Sequence, residues 1–253
     1  MKLFIYWIDK VFLKRSISKL VNYFLLRDKI KLIANLATGQ YAVYNFKKLN
    51  SLEKLADKYK TDKGGYFHKN KGIRRPHSYT TFYDELFSHS RLQIRKVFEC
   101  GIGTNNENIS SNMSSDGTPG ASLRMWRDYF ENALIVGGDI DKDILFSETR
   151  IKCFHLDQTD DLSVKNFWNS VDLDEFDLMI DDGLHNLWAA QTLFNGSYKF
   201  LKQGGVYVIE DISPWQIEDY ILWLDKLGVS YSIVTLFYLE NIISDDILIV
   251  ITK

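Results

Sequence analysis

From Lys96 onward short apolar runs alternate with amphipathic stretches. That alternation leaves little room for anything but a parallel sheet covered by helices on both faces. Strands are expected at 96–100, 134–139, 151–156, 176–180 and 206–209, each ended by an acidic residue or a glycine. Helices fit at 121–132, 163–169, 187–201 and 215–227. Two further β-rich runs, 231–239 and 247–252, are joined by Glu240–Asp246, a spacing that suits a hairpin. The expected fold is therefore α/β and Rossmann-like, a mostly parallel seven-stranded sheet finishing in an antiparallel C-terminal hairpin at its edge.

The stretch before this core has a different character. Residues 1–50 carry ten Lys/Arg against Asp9 and Asp28, so +8, which leaves −10 on the rest of a chain whose total is −2. Residues 1–38 hold no Gly or Pro, and Phe12, Leu20, Tyr23, Phe24, Leu26, Ile30 and Ile33 recur near helical spacing. A basic amphipathic helical leader over 1–50 follows, as a cap on the body or a second subunit, a membrane-surface helix, or a nucleic-acid arm. The last is disfavoured because no Arg-rich cluster accompanies it, so no nucleic-acid partner is expected. The domain proper is expected over 51–253, with 51–95 facing ligand as a lid and 96–253 forming the core. A helix over 51–59 and another through Phe82 and Phe87 flank a loop rich in Gly, Lys and Arg.

At 253 residues and 45% hydrophobic, the chain can bury one fair-sized core, which excludes disordered and collagen-like classes. Cys100 and Cys153 lie in apolar runs without CxxC spacing, so neither a disulfide framework nor a zinc cluster is expected. No apolar stretch reaches the ~18 residues needed to span a bilayer, and the start lacks a cleavable signal. The expectation is a cytoplasmic protein, with peripheral contact to the inner membrane through the leader as one option.

In a doubly wound sheet, ligands bind beyond the carboxyl ends of the strands. Those ends read Glu99-Cys-Gly101-Ile-Gly103, Gly138-Asp139, Asp157-Gln158, Asp181-Asp182-Gly-Leu-His185 and Glu210-Asp211. A dinucleotide fingerprint is disfavoured, because Asn106 stands where a third Gly belongs and the helix starts late. Glu99 ahead of the glycine turn would repel phosphate and suits S-adenosylmethionine, which carries an ammonium and a sulfonium. Asp139 fits its ribose hydroxyls. Each feature has a plainer rival, a tight turn or a helix cap; their ordered succession favours a methyltransferase.

Asp181, Asp182, Glu210 and Asp211 end two strands that can lie about 4.8 Å apart. Carboxylates that close repel one another unless a cation intervenes, and oxygen donors without Cys select Mg²⁺, Mn²⁺ or Ca²⁺. Helix capping and solvated acids are the competing explanation. A hydroxyl is a poor nucleophile at neutral pH, so a divalent ion that acidifies it, with His185 to take its proton, points to oxygen methylation of an unactivated alcohol.

With those residues in hand, the chain resembles the metal-dependent class I sugar O-methyltransferases of the mycinamicin VI 2''-O-methyltransferase and macrocin O-methyltransferase type. The resemblance runs from about Leu52 to Ile212, through Leu55-Ala-Asp-Lys-Tyr-Lys-Thr-Asp-Lys63, His77-Ser-Tyr79, Glu99-Cys-Gly-Ile-Gly103, Gly120-Ala-Ser-Leu-Arg-Met-Trp126, Gly138-Asp-Ile-Asp141, Ile180-Asp-Asp-Gly-Leu-His185 and Gly204-Gly-Val-Tyr-Val-Ile-Glu-Asp211. It implies that Asp182, Glu210 and Asp211 hold Mg²⁺ or Mn²⁺ and that His185 is the general base. Glu99, Gly101, Gly103, Ser122, Asp139, Asp157 and Gln158 would surround S-adenosylmethionine, with Thr61 and Lys63 on the cofactor side of a lid. His77, Tyr79 and Asp181 would face the acceptor, a nucleotide-linked or glycan-bound sugar of surface polysaccharide, capsule or natural-product assembly. The implied protein is a homo-oligomer. It departs from the macrolide enzymes in having a short basic leader where they have a larger amino-terminal region. Methylation of nitrogen or of a phosphorylated small molecule, and a non-catalytic scaffold, are the alternatives.

Overall fold

The computed structural model describes residues 40–45, 50–64, 77–113, 117–237 and 247–253. The helices expected within 1–38, most of the Gly/Lys/Arg loop before His77, and the Glu240–Asp246 connection lie outside the described residues. All described residues belong to one compact unit, Gln40–Lys253.

The strands are β1 (Gln40–Asn45), β2 (Lys96–Cys100), β3 (Leu134–Asp139), β4 (Ser147–Glu148), β5 (Ile151–His155), β6 (Phe176–Asp181), β7 (Leu201–Ile209), β8 (Ser230–Phe237) and β9 (Ile247–Thr252). They form one nine-stranded sheet in the order β1-β8-β9-β7-β6-β2-β3-β5-β4. Among the described residues the helices are α1 (Ser51–Tyr59), α2 (Tyr79–Phe87), α3 (Ala121–Tyr129), α4 (Asp161–Val171), α5 (Leu187–Ser197) and α6 (Ile217–Leu227). The alternation expected from Lys96 onward is present, and the central strands β5, β3, β2, β6 and β7 run parallel.

Three expectations are corrected. The antiparallel strand does not end the sheet: β9 lies between β7 and β8 and pairs antiparallel with both. Its Ile247, Leu248, Ile249 and Ile251 are wholly buried, and a strand apolar on both faces belongs in a sheet interior rather than at an edge. Secondly, Gln40–Asn45, assigned to the helical leader, is a strand that pairs parallel with β8 and supplies the edge. Thirdly, the seven expected strands are nine among the described residues, because the two-residue β4 also pairs antiparallel with β5 at the opposite edge.

Helix limits follow local capping. The Asp160 side chain accepts from the N–H groups of Leu162 and Ser163, which starts α4 at Asp161 rather than Ser163. Asn186 does the same for α5 through Ala189. The expected 187–201 helix stops at Ser197, passes through a 3₁₀ turn at Tyr198–Phe200, and β7 begins at Leu201.

Aromatic packing buries the central strands. On β2, Phe98 is fully buried, with the rings of Trp168 and Phe167 on α4 centred 5.0 and 5.3 Å away. Fully burying such a side chain is worth roughly 1.5–3 kcal/mol, with the edge-on ring pairing adding to it. The register matters most for function. Cys100 pairs with Gly138 on β3 and with Asp181 on β6, and Asp181 pairs with Ile209 on β7. Gly101, Asp139, Asp182 and Glu210 therefore all follow immediately beyond one level row of paired residues.

Candidate active site

A cleft of about 850 Å³ opens at that row. It is lined by Thr61, Lys63, His77, Tyr79, Gly101, Gly103, Ser122, Asp139, Asp157, Gln158, Asp182, His185, Glu210 and Asp211 among others. Of the residues singled out from sequence, Glu99 and Asp181 do not line it; both are buried in their strands.

Asp182, His185 and Asp211 each offer one ligand atom, and the three atoms lie within 4.8 Å of one another. His185 Nε2 is 3.8 Å from Asp211 Oδ2. Both residues have left-handed backbone, φ 54° for His185 and 57° for Asp211. Side chains other than glycine adopt that region at a cost. Asp211 is further held by the Tyr79 hydroxyl, which donates to Oδ1 and accepts from the Asp211 N–H at 3.3 Å. His77, stacked on Tyr79, brings Nδ1 to 3.6 Å from the same oxygen. Burial pushes the Asp211 carboxyl up and the neighbouring His77 partly offsets this.

Glu210 faces different partners. Lys63 donates to its Oε2 and the Tyr83 hydroxyl to its Oε1 at 2.6 Å. The same Lys63 ammonium donates to Asp182 Oδ2 at 2.6 Å and stands 3.5 Å from Glu99 Oε1. Burial works against the charge on Lys63, but Asp182, Glu210 and Glu99 outweigh it and hold the ammonium firmly protonated. Burial likewise raises Glu210 well above the carboxylate range despite Lys63.

The glycine turn after β2 is tied to β3. Gly101 and Gly103 have φ of 84° and 83°, and Gly101 N–H donates to Gly138 O at 2.8 Å. Asp139 accepts from Ile102 N–H through Oδ2 and from Asp141 N–H through Oδ1, both at 2.9 Å. Its carboxyl is raised by burial, against the pull of these bonds. Glu99 Oε2 accepts from Trp126 Nε1–H at 2.5 Å, while Oε1 is buried without a hydrogen bond. Burial pushes Glu99 up to about 7.

The remaining candidates are braced by protein groups. Gln158 donates to Asp181 Oδ1 at 3.1 Å and accepts from Leu184 N–H at 2.7 Å, so its amide clamps the loop that carries His185. Asp181 Oδ2 and His185 Nδ1 are both buried without a hydrogen bond, and burial pushes Asp181 up to about 6. Asp157 accepts from Thr159 N–H and hydroxyl, closing its own turn. Ser122 sits in the first turn of α3, and Thr61 accepts from Lys63 N–H at 3.4 Å.

Sequence reasoning missed Tyr83, Trp126 and the Thr104 hydroxyl that donates to Asp141. For Tyr83 there was a signal. Tyr79 and Tyr83 are four apart on α2 and so share a helix face, matching the adjacent acids Asp211 and Glu210 that they reach.

A glycine turn without side chains, the Asp139 carboxylate at the end of β3 and a cleft of this size fit an adenosylmethionine-like ligand. The carboxylate oxygens of Asp182 and Asp211, which converge with a ring nitrogen of His185, fit a hard divalent cation with a base beside it.

Comparison with known proteins leads the same way. No family model matches the chain. It is 32% identical over 136 residues to the 8-demethyl-8-alpha-L-rhamnosyl tetracenomycin-C 2'-O-methyltransferase of Streptomyces olivaceus, covering 54% of this chain and 33% of that protein. It is 33% identical over 162 residues to the L-olivosyl-oleandolide 3-O-methyltransferase of Streptomyces antibioticus, covering 63% and 36%. The chain thus spans about a third of the length of these curated relatives. Among solved structures, the MycE methyltransferase of the mycinamycin biosynthetic pathway, in complex with Mg and SAH, superposes with a TM-score of 0.58 at 24% identity. That match covers 81% of this chain and 55% of MycE, and it establishes the class I methyltransferase fold. No helix among the described residues is long and apolar enough to cross a membrane.

Proposed function

We propose that this chain transfers the methyl group of S-adenosylmethionine to a sugar hydroxyl with the help of Mg²⁺ or Mn²⁺. The observation that carries the reading is the meeting of Asp182, His185 and Asp211 within 4.8 Å, beside the Gly101 turn. The curated relatives named above are sugar O-methyltransferases, which supports the same class of acceptor.

In this reading Asp182, Glu210 and Asp211 supply the ion's oxygen ligands, and Gly101, Gly103, Ser122, Asp139, Asp157 and Gln158 surround the cofactor, while Glu99, buried behind the cleft, faces Lys63 instead. When bound, the ion supplies Lewis acidity that lowers the pKa of a nearby alcohol, and the cofactor supplies an electrophilic methyl. His185 accepts the hydroxyl proton at Nε2, the nitrogen that faces Asp211. Tyr79 and His77 orient Asp211, and the Gln158 clamp on Leu184 holds the His185 loop. Thr61, Lys63, His77 and Tyr79 all line the cleft, and the His77 N–H donates to the Asp62 carbonyl, so the two segments stand side by side. Fixing the reacting groups in this way is where much of an enzyme's acceleration arises.

The acceptor we favour is a nucleotide-linked or glycan-bound sugar of surface polysaccharide or natural-product assembly, with the protein acting as a homo-oligomer. The test is mass spectrometry of nucleotide sugars incubated with S-adenosylmethionine, with and without Mg²⁺. A gain of one CH₂ that disappears with EDTA is expected. Methylation indifferent to EDTA would point to an amine acceptor, and methyl transfer to no sugar would remove the proposal.

A further inference from the structure

One buried amine is shared by three acids. Lys63 is 2% exposed, and its ammonium donates to Asp182 and Glu210 while standing 3.5 Å from Glu99 Oε1. Two of those acids belong to the ion's ligand set in the function proposed above. An ammonium between them takes up the negative charge that a divalent ion would use.

Where the ammonium could go is also visible. Glu99 Oε1 is buried and has no hydrogen bond. Closing from 3.5 Å to the ordinary charge-assisted range of about 2.7–2.9 Å needs a shift of less than about 1 Å. The Lys63 backbone is pinned, since its carbonyl accepts from Thr80 N–H at 3.1 Å, so the movement belongs to the side chain. A four-carbon stem allows it, and the amine would never be left buried without a counter-charge.

We infer that Lys63 is an exchangeable internal cation: it holds Glu210 and Asp182 together when no divalent ion is bound, and it moves onto Glu99 Oε1 when one arrives. Lys63 is then a positioning residue. It keeps the carboxylates from repelling one another in the ion-free protein, and it sets the ion's affinity by competing for the same oxygens. The inference rests on the cation reading of the site.

The test is Mn²⁺ binding to the full chain at pH 8, followed by the electron paramagnetic resonance of free Mn²⁺. Wild type, Lys63→Met and Glu99→Gln are compared, with thermal melts of each in Mn²⁺ and in EDTA. Lys63→Met removes the competitor, so Mn²⁺ should bind on the order of tenfold more tightly, as expected when a positive charge a few ångströms away is lost. Its melting temperature should also depend on Mn²⁺ more steeply than that of wild type. Glu99→Gln removes the second berth and should weaken Mn²⁺ binding several-fold; it is the measurement to rely on should Lys63→Met not fold. Equal or weaker binding by a folded Lys63→Met, or unchanged binding by Glu99→Gln, overturns the exchange and leaves the cation site standing. No Mn²⁺ binding by wild type overturns the cation reading itself and the exchange with it.

Discussion

A Cβ placed on Gly101 would collide with the backbone carbonyl of Asp182. The turn that follows β2 and the loop that follows β6 are therefore packed backbone to backbone, and the cofactor side of the cleft is joined directly to the ion side. Gly101→Ala must push the two apart and also occupy φ 84°. A loss of roughly 3 kcal/mol or more is expected from such a combination of clash and backbone strain, measured by urea unfolding. A variant as stable as wild type would show that the loops part easily.

Asp182→Asn and Asp211→Asn should each abolish ion-dependent turnover while changing the affinity for S-adenosylhomocysteine only a few-fold, read by isothermal titration calorimetry. The division is expected because these acids lie on the β6 and β7 loops, whereas the glycine turn and Asp139 lie on the β2 and β3 side. Equal loss of both affinities would argue against two separable halves.

His185→Ala should lower turnover by roughly 10²–10⁴-fold with little change in acceptor KM, the usual scale for loss of an acid/base group. Steady-state kinetics across pH 6–9 would check this. Unchanged turnover would remove His185 from proton transfer.

Tyr83→Phe deletes the hydroxyl that donates to the fully buried Glu210. Leaving that oxygen without a donor should destabilise the protein by about 1–3 kcal/mol. Chemical denaturation in EDTA is the measurement, because a bound ion would mask the loss.

Asp181 titrates at about 6 in the folded protein, raised by burial from 3.8. An acid raised on folding favours the native state at low pH, and that contribution disappears as pH climbs from about 4 through about 6. Asp181→Asn does not ionise. Relative to wild type it should therefore gain stability over that window, by on the order of 3 kcal/mol at pH 8 at most, and match wild type near pH 4. A stability difference that is flat with pH would mean that Asp181 stays neutral throughout.

The parallel core was legible because β2, β3, β5, β6 and β7 are short apolar runs whose ends carry the acids themselves. Asp139, Asp182, Glu210 and Asp211 could be placed at the cleft from strand ends alone. What was not legible depends on long-range pairing. The apolar run Ile247–Thr252 marks an interior strand but does not say that its neighbours are β7 and β8, and Gln40–Asn45 is recruited by a strand nearly two hundred residues later in the chain. The Lys63–Glu210 and Tyr83–Glu210 bonds span separations of 147 and 127 residues, beyond the reach of any motif. Trp126 was in view as part of a helix, but its bond to Glu99 needs the packing of α3 on β2.

The strand Gln40–Asn45 has a practical consequence for anyone trimming this protein. Shortening it to Ser51, the start of the first described helix, would strip β8 of its neighbour along six residues. The bared N–H and C=O groups would then offer a template for sticking to other chains. A clone begun upstream of Gln40 should stay dispersed at concentrations where the shorter one clumps.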